Sequence, residues 1–192
     1  MSKVGNESAL SDEELVASLQ QRMDAERFGV LYDRYAERVF QKCIGLTRDR
    51  DLAKDLTHDI FLKVFTSLKQ FDHRAKFGTW LYRVTHNYCL DHLRKQQRHK
   101  EVELDDGVAG HLVDDDPNEL RLMGMRADRL DQVLAAIDPT DRALLLMKYQ
   151  DGLSVKEIQE VLEVGESAVK MRMMRARERA MVCYHELFSE GA

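Results

Sequence analysis

The chain has 192 residues, a net charge of −5 and 33% charged side chains. This length suits one large or two small domains, and the presence of only two prolines and ten glycines favours an all-α fold. The acidic balance excludes a generally basic nucleic-acid coat, so any nucleic-acid binding has to come from local basic patches. No apolar run reaches the roughly 18 residues of a membrane span, and the polar first residues lack a signal-peptide core. We therefore expect a cytoplasmic protein without membrane insertion.

Two helices are predicted in the first quarter of the chain. Ser11, followed three residues later by Glu14, forms a capping box that predicts a short leading helix over 11–19. We assign this helix no function. Apolar residues then recur at near-helical spacing over 27–46, and the polar stretch 47–51 ends the pattern.

A further helix is predicted from about Asp51 to Leu68, because apolar residues recur there every three or four positions. Its other face carries the polar residues Asp55, His58 and Asp59. On the pattern alone, a solvated acidic face is the favoured interpretation of these residues. We expect no metal site, because no further ligand lies at a suitable spacing.

The polar, irregular stretch over 71–76 predicts a loop. Its candidate binding residues are Asp72, His73, Arg74 and Lys76. Thr79 is predicted to cap the helix that follows. The residues of that helix that should point toward a core are Leu81, Val84 and Tyr88.

The neighbouring strip of this helix combines an aromatic ring with cationic and amide side chains. Its members are Trp80, Arg83, Asn87 and Arg94. Such a combination can stack on an unpaired base while binding phosphates. The alternative for a single tryptophan is packing in a core. Lys and Arg residues are concentrated over 94–100, a composition that suits phosphate contacts.

The composition changes over 101–119, where eight residues are Asp or Glu and none is Lys or Arg. Such a segment buries too little apolar surface to fold alone. We therefore predict a linker that closes at Pro117 and Asn118. A new helix is then predicted from about 119 to 137.

Strong helix-start signals follow in the last third of the chain. Asp138, with Pro139 after it, predicts the start of a helix that ends at Gly152. Ser154, with Glu157 three residues later, forms a second capping box and begins a further helix.

A tight turn at Gly165 leads to a second helix, which Ser167 is predicted to cap. Its buried face consists of Val169, Met173, Ala176 and Ala180. The candidate DNA-contacting residues are Lys170, Met171, Arg172, Met174, Arg175 and Arg177. Five basic residues and one acid give 167–181 a net charge of +4. A helix-turn-helix with a basic second helix is typical of proteins that read the DNA major groove, and the alternative is a plain helical hairpin with a solvated basic face.

Cys43, Cys89 and Cys183 lie far apart in the sequence, which favours reduced and mostly buried thiols. The sequence contains no glycine-rich phosphate loop, nucleophile elbow or metal-spaced cluster. We therefore expect no catalytic residue, cofactor or metal. An enzyme using His58, Asp59 or the cysteines is the alternative from a different functional class.

Taken in order over about 28–187, these features resemble a bacterial extracytoplasmic-function (ECF) sigma factor. The residues that carry the resemblance are F-x-T-W-L-Y-R at 77–83, followed by Asn87, Asp91 and Arg94, and M-R-A-R at 174–177. The resemblance implies two small helical domains that lend promoter specificity to RNA polymerase and carry no chemistry. The implied parts are an N-terminal extension (1–24), a region 2 domain (25–98), an acidic linker (99–118), a region 4 domain (119–188) and a tail (189–192).

The resemblance also implies roles for individual residues. Asp55, His58 and Asp59 would bind core polymerase, which reverses the preference for a solvated face. The loop Asp72 to Lys76 would hold a base flipped out of the minus-ten element, with Trp80, Arg83, Asn87 and Arg94 along the melting strand. The residues that would meet the minus-thirty-five element are Lys170, Met171, Met174 and Arg175. The implied partners are core RNA polymerase, promoter DNA and an anti-sigma factor.

The chain departs from the family pattern at three places. Met171 stands where a small polar residue is usual, and Ser167 with Ala168 replaces a glycine-threonine pair. Ile137-Asp138-Pro139 replaces the usual Leu-Pro. Methionines can contact thymine methyl groups but cannot read a pattern of donors and acceptors. A two-domain transcriptional regulator that acts without polymerase is the alternative within the DNA-binding class.

Overall fold

The structure, a computed structural model, describes residues 10–98 and 117–188. Every regular element in these two ranges is helical, which confirms the predicted all-α fold. The chain divides into two compact units, and the division falls between His92 and Leu93.

Four α-helices begin in the first unit, and the last of them continues past the division. They are α1 (Asp12–Gln21), α2 (Ala25–Thr47), α3 (Arg50–Ser67), which continues into a 3₁₀ turn (Leu68–Gln70), and α4 (Phe77–Arg98). Ser11 and Glu14 form the predicted capping box. Asp24 and Asp49 cap α2 and α3 by accepting backbone N–H groups. These caps act over two or three residues, which is why the helix starts lie close to their predicted positions.

Helix α1, which the sequence placed in an N-terminal extension without an assigned function, contributes to the core of the first unit. Leu15, Val16 and Leu19 are 0% exposed, and burying such side chains contributes about 1.5–3 kcal/mol each. At the start of the helix, Asp12 forms an ion pair of 2.6 Å with Arg34 and a short hydrogen bond with the hydroxyl of Tyr35. Helix α1 is therefore held to α2 by both apolar and polar contacts.

Helix α4 begins earlier than predicted. The backbone N–H of Trp80 donates to the carbonyl of Lys76 at 3.1 Å, so Thr79 lies inside the first turn and its predicted capping role is wrong. Leu81 is buried as predicted, whereas Val84 and Tyr88 are only half-buried.

The helices described in the second unit are α5 (Pro117–Met123), α6 (Ala127–Ala136), α7 (Pro139–Leu145), which continues into a π-helical turn (Leu146–Gln150), α8 (Val155–Leu162) and α9 (Glu166–Phe188). The single helix predicted over 119–137 is interrupted near Gly124, where a glycine disfavours helix by about 1 kcal/mol. Pro117 and Asn118 were predicted to close the linker, but they form the first turn of α5. The rest of the predicted linker lies outside the described residues.

Local signals correctly predicted the starts of α7 and α8. The side chain of Asp138 accepts the backbone N–H of Thr140 at 2.7 Å, and Pro139 occupies the first helical position. Ser154 and Glu157 form the predicted capping box of α8.

Helix α9 starts differently from the prediction but packs as expected. The backbone N–H of Val169 donates to the carbonyl of Gly165 at 3.1 Å. Ser167 therefore lies in the first turn, and its predicted capping role is wrong. The predicted apolar stripe is buried: Val169, Met173, Ala176 and Ala180. Helix α9 contacts α5, α6, α7 and α8, so it is the central helix of the second unit.

Candidate nucleic-acid and polymerase interface

The three polar residues predicted on α3 form one exposed strip. Asp55, His58 and Asp59 are all exposed, because helical spacing places them opposite the buried Leu56 and Ile60. Leu62 continues this strip one turn further on and is 52% exposed. The sequence analysis missed Leu62, although its spacing of three and four residues from Asp59 and His58 already places it on the polar face.

A tyrosine from α4 contacts the end of this strip. The hydroxyl of Tyr88 donates to a carboxylate oxygen of Asp59 at 3.2 Å, and the ammonium of Lys63 lies 5.4 Å from the centre of the Tyr88 ring. Partial burial and the nearby Asp59 charge raise the pKa of Tyr88. The position of Asp59 is thus coupled to α4.

The predicted loop between α3 and α4 is present and has internal order. Asp72 accepts the backbone N–H of Arg74 at 3.2 Å and forms a short ion pair with the guanidinium of the same residue. These contacts, the backbone bond first, hold the pKa of Asp72 below its usual value. His73 has a φ of 60°, in the left-handed region that few residues other than glycine adopt. Lys76 is exposed just before α4.

Trp80 packs against the base of this loop without being fully buried. Its ring centroid lies 5.2 Å from that of Phe71 and 5.9 Å from that of Phe77. Phe71 and Phe77 are buried, whereas Trp80 is of intermediate exposure. The tryptophan is therefore part of an aromatic cluster and also keeps accessible surface.

The strip predicted on α4 follows directly from this cluster. Arg83 is half-buried, and Asn87 and Arg94 are exposed. Spacings of three, four and seven residues keep these side chains on one side of the helix. At 1.5 Å per residue, the strip from Trp80 to Arg94 is about 21 Å long. Such a surface offers one stacking partner and several donors for phosphates or base edges.

The candidate residues on α9 do not share one environment. Lys170 and Arg172 are exposed, and Met171, Met174 and Arg175 are half-buried. Lys170 forms an ion pair of 2.8 Å with Glu166 one turn earlier. These residues lie in the first half of the helix and form a surface of mixed cationic and apolar character.

Arg177 has a different position from these residues, although the sequence analysis grouped it with them. Its side chain is 12% exposed and lies 2.9 Å from Glu119, and its Nε donates to the hydroxyl of Tyr149 at 2.7 Å. Nearby, both carboxylate oxygens of the buried Asp141 accept from Arg179. At least three of the five basic residues counted in this helix, Lys170, Arg177 and Arg179, therefore pair with acids of the same unit.

The cysteines fit the expectation of mostly buried thiols. Cys43 on α2 and Cys89 on α4 are buried, and their sulfur atoms lie 3.5 Å apart. The hydrogen bond that Cys89 donates lowers the pKa of Cys43, and the same contact together with burial raises the pKa of Cys89. Cys183 is half-buried on α9.

No helix in the described ranges is long and apolar enough to cross a membrane.

Two protein-family descriptions match the chain. Sigma-70 region 2 matches residues 31–99, and Sigma-70, region 4 matches residues 127–179. These two matches together cover more than half of the chain. The first lies mostly in the first unit and extends past the division to residue 99, and the second lies in the second unit.

Curated relatives match over most of their length. The ECF RNA polymerase sigma factor SigW of Bacillus subtilis is 28% identical over 165 residues, with 81% of this chain and 87% of the relative covered. The ECF RNA polymerase sigma-E factor of Haemophilus influenzae is 28% identical over 179 residues, with 88% and 93% covered.

Solved structures with the same fold include two complexes. CnrH, in complex with the cytosolic domain of CnrY, aligns with a TM-score of 0.62 and 22% identity, covering 94% of this chain and 99% of that chain. The sigma factor RpoE of Bartonella quintana, in complex with the anti-sigma factor NepR, aligns with a TM-score of 0.58 and 19% identity, covering 88% and 100%.

Proposed function

This chain belongs to the extracytoplasmic-function family of RNA polymerase sigma factors, and we propose that its two helical units divide the tasks of such a factor. As a sigma factor, the protein binds core RNA polymerase and directs it to promoter DNA. Family membership favours this function over the two-domain regulator that acts without polymerase. The tasks to be assigned to residues are polymerase docking, strand opening and promoter reading.

Polymerase docking is assigned to the exposed strip of α3. Asp55, His58 and Asp59 present polar groups to solvent, and Leu62 adds an apolar side chain to the same strip. An exposed leucine beside fixed charges is the composition of a protein interface with an apolar centre and a polar rim. We include Leu62 with the three residues assigned earlier.

Strand opening is assigned to the loop 71–76 and the adjoining strip of α4. The observation that supports this assignment is that an accessible tryptophan, an exposed amide and two cationic side chains share one side of a helix directly after an ordered loop. Of the two cations, Arg83 is half-buried and Arg94 is exposed. The base-binding set is Asp72, His73, Arg74, Lys76, Trp80, Arg83, Asn87 and Arg94. Stacking would supply affinity for an unpaired base, and the cationic groups would bind its phosphates.

Reading of the minus-thirty-five element is assigned to the first half of α9. Lys170, Arg172 and Arg175 supply cationic donors, and Met171 and Met174 supply apolar contacts suited to thymine methyl groups. We leave Arg177 out of this set because its contacts with Glu119 and Tyr149 hold it within the second unit.

We also propose that the protein has no catalytic activity of its own and acts in the cytoplasm. Its relatives are RNA polymerase sigma factors by name. Two proteins of this fold were solved bound to partner proteins, and one of these complexes joins the sigma factor RpoE to the anti-sigma factor NepR. We therefore propose an anti-sigma factor as a third partner, beside core polymerase and promoter DNA.

Run-off transcription with purified core RNA polymerase tests the assignment of α3. We expect the wild-type chain to support initiation, and the double variant Asp55→Ala/Asp59→Ala to bind core polymerase more weakly. Asp33→Ala, which removes an exposed acid on α2, is the matched control and should bind normally. Equal core affinity of the double variant and the control would refute the docking assignment.

A further inference from the structure

The side chain of Gln20, in the last turn of α1, makes all of its described contacts with one distant segment. Its amide nitrogen donates to the carbonyl of Leu68 at 2.9 Å and to the carbonyl of Phe71 at 2.7 Å. Its amide oxygen lies 2.7 Å from Nε2 of His73. Gln20 therefore contacts the 3₁₀ turn before the loop 71–76, the first residue of the loop, and a residue inside it.

These contacts use both donors and the oxygen of the amide. Its two N–H groups meet the carbonyl of Leu68, which also accepts the backbone N–H of Phe71, and the carbonyl of Phe71 itself. The oxygen accepts from the His73 ring in the tautomer protonated at Nε2. A carboxylate could not donate to the two carbonyls, and an alkyl side chain could make none of the three bonds.

The loop needs such support because part of its backbone is strained. His73 has a φ of 60°, in the left-handed region that is unfavourable for a residue other than glycine. The ring of His73 also packs on that of Phe71, with centroids 4.7 Å apart. The bond from Gln20 and this ring contact both favour the left-handed conformation over an extended one.

Helix α1 is a rigid support for these bonds. Leu19, directly before Gln20, and Leu15 and Val16, about one turn earlier, are fully buried. Asp12, at the other end of the helix, pairs with Arg34 and Tyr35 of α2. The amide of Gln20 is thus presented from an element whose position is set by the core.

We propose that Gln20 is a positioning residue that holds the loop 71–76 in the shape that receives an unpaired promoter base, so that α1 contributes to recognition of the minus-ten element without touching DNA. This inference rests on the function proposed above for the loop. Loss of the contacts should loosen the loop and reduce discrimination between bases. The loss of one or more net side-chain hydrogen bonds corresponds to a change on the order of tenfold.

The test uses the full-length chain with Gln20→Ala and Gln20→Met. Methionine keeps the length and apolar stem of the side chain and is a good helix former, so it separates loss of hydrogen bonds from loss of packing. Gln21→Ala is the matched control, since Gln21 is the neighbouring residue of the same type and is exposed.

The first measurement follows the loop in the free protein. Trp80 is the single tryptophan of the chain, and its ring lies against Phe71. We expect acrylamide to quench its fluorescence more strongly in both Gln20 variants than in wild type and in Gln21→Ala. Unchanged quenching in both Gln20 variants, with wild-type helicity, would overturn the inference.

The second measurement is base discrimination by the holoenzyme on promoters that differ at one position of the minus-ten element. We expect the ratio of open-complex rates to fall about tenfold in the Gln20 variants, with core-polymerase affinity unchanged. Arg74→Ala, which changes an exposed loop residue, separates the positioning role of Gln20 from the base-binding role proposed for the loop.

If Arg74→Ala lowers base discrimination and the Gln20 variants do not, the inference about Gln20 fails and the function proposed for the loop stands. If none of these variants lowers discrimination, the function proposed for the loop fails, and the quenching result alone decides whether Gln20 positions it.

Discussion

Arg175 and Arg177 lie two residues apart on α9. Substitution by alanine should affect a different property at each: promoter affinity at Arg175 and stability at Arg177. The Nε of Arg177 donates to the hydroxyl of Tyr149 at 2.7 Å, and its Nη2 lies 2.9 Å from Glu119. We expect Arg177→Ala to destabilise the second unit and to leave promoter affinity of the folded holoenzyme unchanged. We expect Arg175→Ala to weaken promoter binding instead.

The size of the Arg177 effect follows from its two contacts. A hydrogen bond from a charged donor contributes about 1.5–3 kcal/mol. The Glu119 side chain is 33% exposed, so solvent screening limits the ion pair to less than about 1 kcal/mol. A total near 2 kcal/mol lowers the Tm of a domain of this size by roughly 8–16 °C. For Arg175→Ala, the loss of a bidentate base contact corresponds to about 1–3 kcal/mol of promoter binding.

Thermal unfolding followed by circular dichroism measures the loss of stability in Arg177→Ala. Holoenzyme binding to promoter duplex, at a temperature where both variants are folded, measures the loss of promoter affinity in Arg175→Ala. Glu119→Gln is a useful control, because it removes only the screened ion pair and should lower the Tm less than Arg177→Ala. If Arg177→Ala weakens promoter binding at an unchanged Tm, our reasoning about its burial is refuted. If Arg175→Ala leaves promoter affinity unchanged, the assignment of α9 to the minus-thirty-five element is refuted.

Three further predictions concern strand opening, the acidic segment and the thiols. Trp80→Ala should form the closed complex normally but give less permanganate-reactive open complex, and a large loss of helicity would show that Trp80 acts mainly in the core. The full chain alone should bind promoter duplex more weakly than either the holoenzyme or the fragment 119–192. The reason is that the seven acids of the predicted linker (99–118) compete with phosphates for the basic surfaces over roughly a Debye length of 10 Å. Tight binding by the full chain alone would exclude this competition. Among the three thiols, a small alkylating reagent should modify only Cys183 in the folded protein. The reaction should be slow, because burial and Glu186 raise the pKa of Cys183. Early labelling of Cys43 or Cys89, detected by mass spectrometry, would contradict the buried thiol pair.

Much of the helical framework could be predicted because its signals act within one turn. The capping boxes at Ser11 and Ser154, and the Asp138 cap, each link residues two or three positions apart. The buried stripe of α9 follows the helical period. The exposed strip of α3 was also visible as a pattern, although only the family resemblance changed its interpretation from a solvated face to a binding face.

Predictions failed where two local signals competed. Ser167 and Thr79 are good capping residues by type, yet the chain begins each helix one or more residues earlier. The reason is that a cap contributes only about 1 kcal/mol, which the packing of the first turn can outweigh. The break near Gly124 is a different case: the prediction followed the apolar spacing over 119–137 and gave too little weight to the glycine, which disfavours helix by about 1 kcal/mol.

The sequence by itself determined where most helices lie and which faces are apolar or charged. Only the tertiary structure decided which polar side chains are used inside the protein. Gln20 meets carbonyls 48 and 51 residues away, and Arg179 meets Asp141 38 residues away. The physical reason is that helix periodicity and caps depend on neighbours along the chain, whereas the partner of a long side chain depends on how separate helices pack.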